Sequence, residues 1–92
     1  MSGSSNGAVS RTVVIPDGVD LHARPAGQLV RVAAAQGVRV CLRSNGREAD
    51  AASILQVLAL GATGGTPVVV EASGETAEDA VDAIADLLAS LA

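Results

Sequence analysis

The sequence contains no Phe, Tyr or Trp. A core is still possible, because 49% of the residues are hydrophobic, but Val, Leu, Ile and Ala must build it. One cysteine, Cys41, rules out an internal disulfide and fits a reducing compartment, so a cytoplasmic location is expected. One histidine, His22, with one cysteine makes a poor zinc site, and no metal is expected. No glycine-rich nucleotide loop of recognised spacing occurs, and no second catalytic base or nucleophile stands beside the histidine. The chain is therefore expected to need no cofactor and not to turn over a small substrate by itself. No apolar run approaches the ~18–20 residues of a membrane-spanning helix, so no membrane insertion is expected. The opening MSGSSNGAVS lacks both a charged start and an apolar stretch, which is not the pattern of a signal peptide.

What is present fits one small domain. The 92 residues carry a net charge of −4, which argues against general nucleic-acid binding. All six basic residues are Arg and none lies beyond Arg47, whereas eight of the ten acids follow that point. This asymmetry fits either a locally biased solvated surface or a basic patch that meets an acidic partner or a phosphate.

Residues 1–10 are rich in Ser, Gly and Asn and are expected to form a disordered leader or linker, with the folded domain over 11–92. Arg11–Ile15 is a β-branched run closed by Pro16-Asp17-Gly18, hence a strand and a turn. A helix follows with Pro25 in its first turn, Ala26, Leu29, Val30 and Ala33 on its apolar face, and Gly37 as its stop. Val38–Arg43 alternates as a half-buried strand, and Asn45-Gly46 favours a two-residue hairpin to a short edge strand, Arg47–Asp50. A short helix is expected near Ala51–Leu58, and a fourth strand over Pro67–Ser73. The last helix opens at Thr76, with Asp79 completing a capping box, and buries Ala80, Val81, Ile84, Leu87, Leu88 and Leu91. The order βαββαβα implies a sheet with helices on one face and water on the other.

His22 falls at the start of the first helix. Unpaired N–H groups and the positive end of the helix dipole gather there and favour anions. Arg24, two residues on, adds a permanent charge and a planar fork suited to phosphate oxygens. Pro25 stiffens the turn, and either Arg24 or an earlier residue could then be the cap. An exposed imidazole, with an ordinary pKa of ~6.5, is largely neutral and nucleophilic near pH 7. It suits a group that is accepted and given away again. The plainer role for a single histidine is structural.

Two segments carry a resemblance. Leu21-His22-Ala23-Arg24-Pro25-Ala26 resembles the active-site motif of HPr, the histidine-containing phosphocarrier family of the sugar phosphotransferase system. Ser53-Ile54-Leu55-Gln56-Val57-Leu58-Ala59-Leu60-Gly61 resembles the segment that opens with that family's regulatory serine, at the family's spacing from the histidine. The resemblance implies an α+β fold, an HPr-like open-faced β-sandwich with a four-stranded antiparallel sheet and three helices on one face. It implies a monomer phosphorylated on Nδ1 of His22 by enzyme I, with phosphoenolpyruvate upstream, that passes the group to A-type domains of enzyme II. Arg24 and the backbone amides of Ala23 and Arg24 would hold the phosphate. Leu21, Arg31, Ile54, Leu55 and Leu58 would dock partners, although Ile54, Leu55 and Leu58 also fit the core side of a short helix. Ser53 would be either a regulatory phosphosite or simply a helix cap.

Three positions depart from the family pattern. The family usually has Gly before the Leu-His pair and often a small polar residue before that; here Asp20 and Val19 stand there. An acid so close disfavours a doubly negative phosphate, with solvent screening part of the effect. Gln56 replaces a common Gly. Two other readings remain open: a module of a larger phosphotransferase chain, such as the phosphoryl donor of dihydroxyacetone kinase, and a regulatory paralogue that acts by binding alone.

Overall fold

The computed structural model describes residues 8–91. The order of elements is β1 (Val9–Val14), α1 (Ala23–Ala34), β2 (Val40–Ser44), β3 (Arg47–Asp50), α2 (Ile54–Ala59), β4 (Pro67–Ala72) and α3 (Ala77–Ala89). This is the βαββαβα succession that the sequence predicts. The four strands form one antiparallel sheet in the order β1-β4-β2-β3. The last strand in sequence is thus inserted between β1 and β2.

Alternation along the strands decides which face is covered. Val13 on β1, Val40 and Leu42 on β2, Ala49 on β3 and Val68, Val70 and Ala72 on β4 are all buried under the helices. Their neighbours Thr12, Cys41, Arg43, Val69 and Glu71 lie on the open face. Arg43 pairs with Glu71 there, across β2 and β4. Among the helices, α1 lies between α2 and α3, while α3 rests on β1 and β4 and α2 lies against β3. Ala77, Ala80, Val81, Ile84, Ala85 and Leu88 of α3 complete the core. Leu87 and Leu91, expected to be buried, are only half-buried because they lie at the margin of that stripe.

Several boundaries differ from expectation for identifiable reasons. Val9 and Ser10, assigned to the leader, belong to β1, because Ala72 and Glu71 of β4 pair with them. The remainder of that leader, residues 1–7, lies outside the described residues. Ile15 leaves the strand but keeps a ladder-like bond, its N–H to Thr66 O at 2.9 Å. β2 begins at Val40 instead of Val38, and the preceding Arg39 side chain turns to Asp50 at 3.0 Å. α1 ends at Ala34, before Gly37. Gly37 serves close packing: a Cβ there would meet Thr76 Oγ1 at 3.3 Å. The Asn45-Gly46 hairpin forms as expected, with φ of 55° and 73°.

Helix starts differ too. α2 begins at Ile54 and not at Ala51, because side chains organise the preceding turn. Ala52 N–H donates to Asp50 Oδ1, Asp50 N–H donates to Gln56 Oε1, and Gln56 N–H donates to Ser53 Oγ. The capping box expected at Thr76 is not formed, since the Thr76 side chain makes no cap bond. A backbone turn starts α3 instead, with Ala77 N–H on Gly74 O at 3.2 Å.

Candidate functional site

The loop before α1 is held from below. Gly65 N–H donates to Ile15 O at 2.7 Å, and Leu21 N–H donates to Ala62 O at 3.0 Å. The two loops approach so closely that a Cβ on Gly64 would fall 2.9 Å from both Gly18 N and Pro16 O. Glycine is therefore required at that position by packing alone. Leu21 is 4% exposed and anchors the loop in the core. It cannot present its side chain to a partner, which removes it from the expected docking surface. Burial of Leu21 turns the flanking residues, Asp20 and His22, outward.

His22 is the N-cap of α1, in extended conformation at φ −96° and ψ −164°. Its side chain makes no capping bond and is exposed. The helix places Pro25 third and Arg24 second, so His22 and not Arg24 is the cap. The first intrahelical bond is Ala26 N–H to His22 O, 2.9 Å. Pro25 has no N–H, and no backbone partner takes the N–H of Ala23 or Arg24 among the described residues. Two unpaired donors, the positive helix end and one exposed imidazole thus share a helix terminus. Arg24 and Arg31 are exposed on α1, seven residues or about two turns apart, and neither forms an ion pair among the described residues. By contrast, Arg11 is committed to α3, at 2.8 Å from Asp82 and 3.6 Å from Asp86. These carboxylates hold the Arg11 guanidinium above its ordinary value, first through the Asp82 hydrogen bond.

The bond from Leu21 to Ala62 joins the residue before His22 to the segment just after α2. α2 consequently lies beside the N-terminal end of α1. It exposes Leu55 at 78%, Ile54 at 38% and Leu58 at 37%, which with Val14 are the exposed large hydrophobic residues of the described chain. Only Val57 of this helix is buried. Core packing therefore does not explain Leu55 and accounts for only part of Ile54 and Leu58. Ser53 is the N-cap of α2 and accepts the Gln56 N–H at 3.3 Å.

One contact here escapes sequence reasoning. Arg47 Nη1 donates to Ala59 O at 2.9 Å, and Asn45 Nδ2 to Leu60 O at 3.2 Å, so the hairpin closes the C-terminal end of α2. Its only sequence signal is a cation placed near a helix end in space, which needs the fold to be known. Cys41 lies apart, on the open sheet face. Partial burial pushes its thiol up, and Glu48 adds to the effect while Arg43 opposes it. Among the described residues no cluster of His, Cys, Asp and Glu could hold a metal ion, and no helix is long and apolar enough to cross a membrane.

Comparison with known proteins follows the same lines. A family model described as the PTS HPr component phosphorylation site matches residues 9–90. The phosphocarrier protein HPr of Streptomyces coelicolor is 47% identical over 70 residues, which is 75% of this chain and 75% of that protein. The crystal structure of HPr-C-His from Thermoanaerobacter tengcongensis superposes with a TM-score of 0.82 at 30% identity, covering 89% of this chain and 92% of that one. A phosphocarrier protein HPr from Bacillus anthracis gives a TM-score of 0.84 at 26% identity, over 90% and 99% of the two chains.

Proposed function

The chain belongs to the HPr family, the phosphocarriers of the phosphotransferase system, and from that premise we propose that His22 is the residue that carries the phosphoryl group. Enzyme I, charged by phosphoenolpyruvate, phosphorylates Nδ1 of His22. The group then passes to an A-type domain of enzyme II. The protein acts as a monomeric carrier in the cytoplasm and not as a turnover enzyme.

The observation that carries this reading is the helix terminus itself. An exposed histidine that makes no side-chain capping bond caps α1, and among the described residues no backbone partner takes the N–H groups of Ala23 and Arg24 beside it. A phosphoryl group on the ring would bring negative charge to a helix end whose N–H donors favour anions. The Arg24 guanidinium, exposed and without an ion pair among the described residues, adds a planar pair of donors. Arg31 and the apolar residues Ile54, Leu55 and Leu58 form the partner-docking face. Ser53 is in addition a candidate regulatory phosphosite: a phosphate there would place a dianion beside that face and weaken an apolar contact.

The test is a reconstituted relay. Enzyme I, phosphoenolpyruvate, this protein and an A-type domain should together phosphorylate the A-type domain, and omission of this protein should stop the relay. The variant His22→Ala should leave the relay as inactive as omission does. Undiminished transfer through His22→Ala would reject the assignment.

A further inference from the structure

Asp20 is not explained by the role assigned to its neighbours. It is exposed, and no ion pair takes its carboxylate among the described residues. Its position is set by the backbone. His22 N–H donates to Asp20 O at 2.8 Å, closing a tight turn centred on Leu21. Val19 is half-buried against the core and Leu21 is buried, while Asp20 and His22 are both exposed. With Val19 and Leu21 turned to the core, the Asp20 carboxylate and the His22 imidazole both stand in solvent, two residues apart at one turn. Arg24, also exposed, faces the same solvent from the first turn of α1.

Resting on the assignment of His22 as the acceptor, we propose that Asp20 tunes the site: its carboxylate opposes the attraction of Arg24 and the helix end, and makes phospho-His22 the readier donor. In the donating step the bond from the His22 ring nitrogen to phosphorus breaks, and its electron pair stays on that nitrogen. A bond forms from an imidazole nitrogen of the acceptor to the same phosphorus, and each ring keeps the proton on its other nitrogen. Asp20 touches none of these atoms. It acts through space, raising the energy of the phosphorylated state relative to the free imidazole. A carboxylate opposite a phosphorylated ring, whose dianion is partly offset by the ring proton, shifts such an equilibrium by about two- to threefold at low salt when the charges are roughly 7 Å apart in water-like surroundings. A carrier that must release its cargo gains from a hold of this moderate strength. The backbone carbonyl of Asp20 makes the structural bond, so side-chain replacement leaves the turn intact.

The experiment loads the intact protein in two ways. In the first, potassium phosphoramidate phosphorylates the only histidine without any partner protein, and intact mass follows the loss of the group in low salt. Asp20→Asn should keep its phosphoryl group longer than the unsubstituted protein, by up to about threefold, and Asp20→Glu, which keeps the charge, should behave like the unsubstituted protein. The difference should shrink in concentrated salt. In the second, a catalytic amount of enzyme I equilibrates phosphoryl groups between equal amounts of the unsubstituted protein and Asp20→Asn, and the variant should hold the larger share. Equal lifetimes for Asp20→Asn and the unsubstituted protein at low salt would overturn the proposal. So would a lifetime of Asp20→Glu matching that of Asp20→Asn, since a structural effect would not follow charge. If enzyme I leaves the unsubstituted protein unphosphorylated, the carrier assignment fails, while the phosphoramidate arm still decides the role of Asp20.

Discussion

Leu55→Asp separates docking from folding. Leu55 is 78% exposed, so the folded protein loses almost no buried area when it is replaced. The same exposure measures what a partner can cover. Full burial of a leucine side chain contributes about 1.5–3 kcal/mol, so covering most of Leu55 contributes about 1–2 kcal/mol. Loss of that contact corresponds to a weakening of about 5–30-fold in partner affinity. Ile54 and Leu58, at 38% and 37%, offer roughly half the uncovered fraction, and their replacement by Asp should weaken docking less. The assay is the rate of phosphorylation by enzyme I as a function of carrier concentration, with thermal melting alongside. Leu55→Asp should raise KM with little change in kcat, should keep most of that rise at high salt, where the added charge is screened, and should melt at the same temperature as the unsubstituted protein. An unchanged KM in a folded variant would refute the reasoning and move the docking face off α2.

Arg24→Ala should slow transfer about 10–100-fold, the loss expected for one charge-assisted contact to the moving phosphoryl group, without lowering the melting temperature. Unchanged rates with a lowered melting temperature would make Arg24 structural instead. Arg31→Glu should slow phosphorylation by enzyme I at low ionic strength and converge with the unsubstituted protein at high salt, because complementary charge acts mainly on encounter. Salt-independent slowing would contradict this. Cys41 should alkylate more slowly at pH 8 than a small free thiol, since partial burial and Glu48 raise its pKa and leave less thiolate. Its alkylation rate should climb toward higher pH than that of the free thiol, and Glu48→Gln should move the profile back down.

Local chemistry made much of this molecule readable in advance. The alternation of Val68, Val70 and Ala72, the Asn45-Gly46 turn and the spacing of Ala80, Val81, Ile84 and Leu88 each depend on neighbours in the chain, and each was realised. The helix start at His22 and the uncovered α2 residues were legible through the two motifs together. What escaped depends on distant partners. Nothing in β1 or β2 announces that β4 inserts between them, because strand order is set by pairing over long separations. Leu21 looks like part of a surface motif until Ala62 is seen to bind its N–H and the core to take its side chain. Thr76 has the residue type of a cap, yet Gly74 O meets the first helical N–H, and the side chain is left beside Gly37. α2 starts later than its sequence predicts because Asp50, Ser53 and Gln56 form a small network that competes with helix formation over Ala51 and Ala52.

The most direct test of the central claim is intact mass after incubation with enzyme I and phosphoenolpyruvate. One phosphoryl group should add, lost in acid and retained in base, and peptide mapping should place it on His22. The His22→Ala protein should gain nothing under the same conditions. A phosphoryl group that persists on His22→Ala, or an unsubstituted protein that stays at its original mass, would contradict the account.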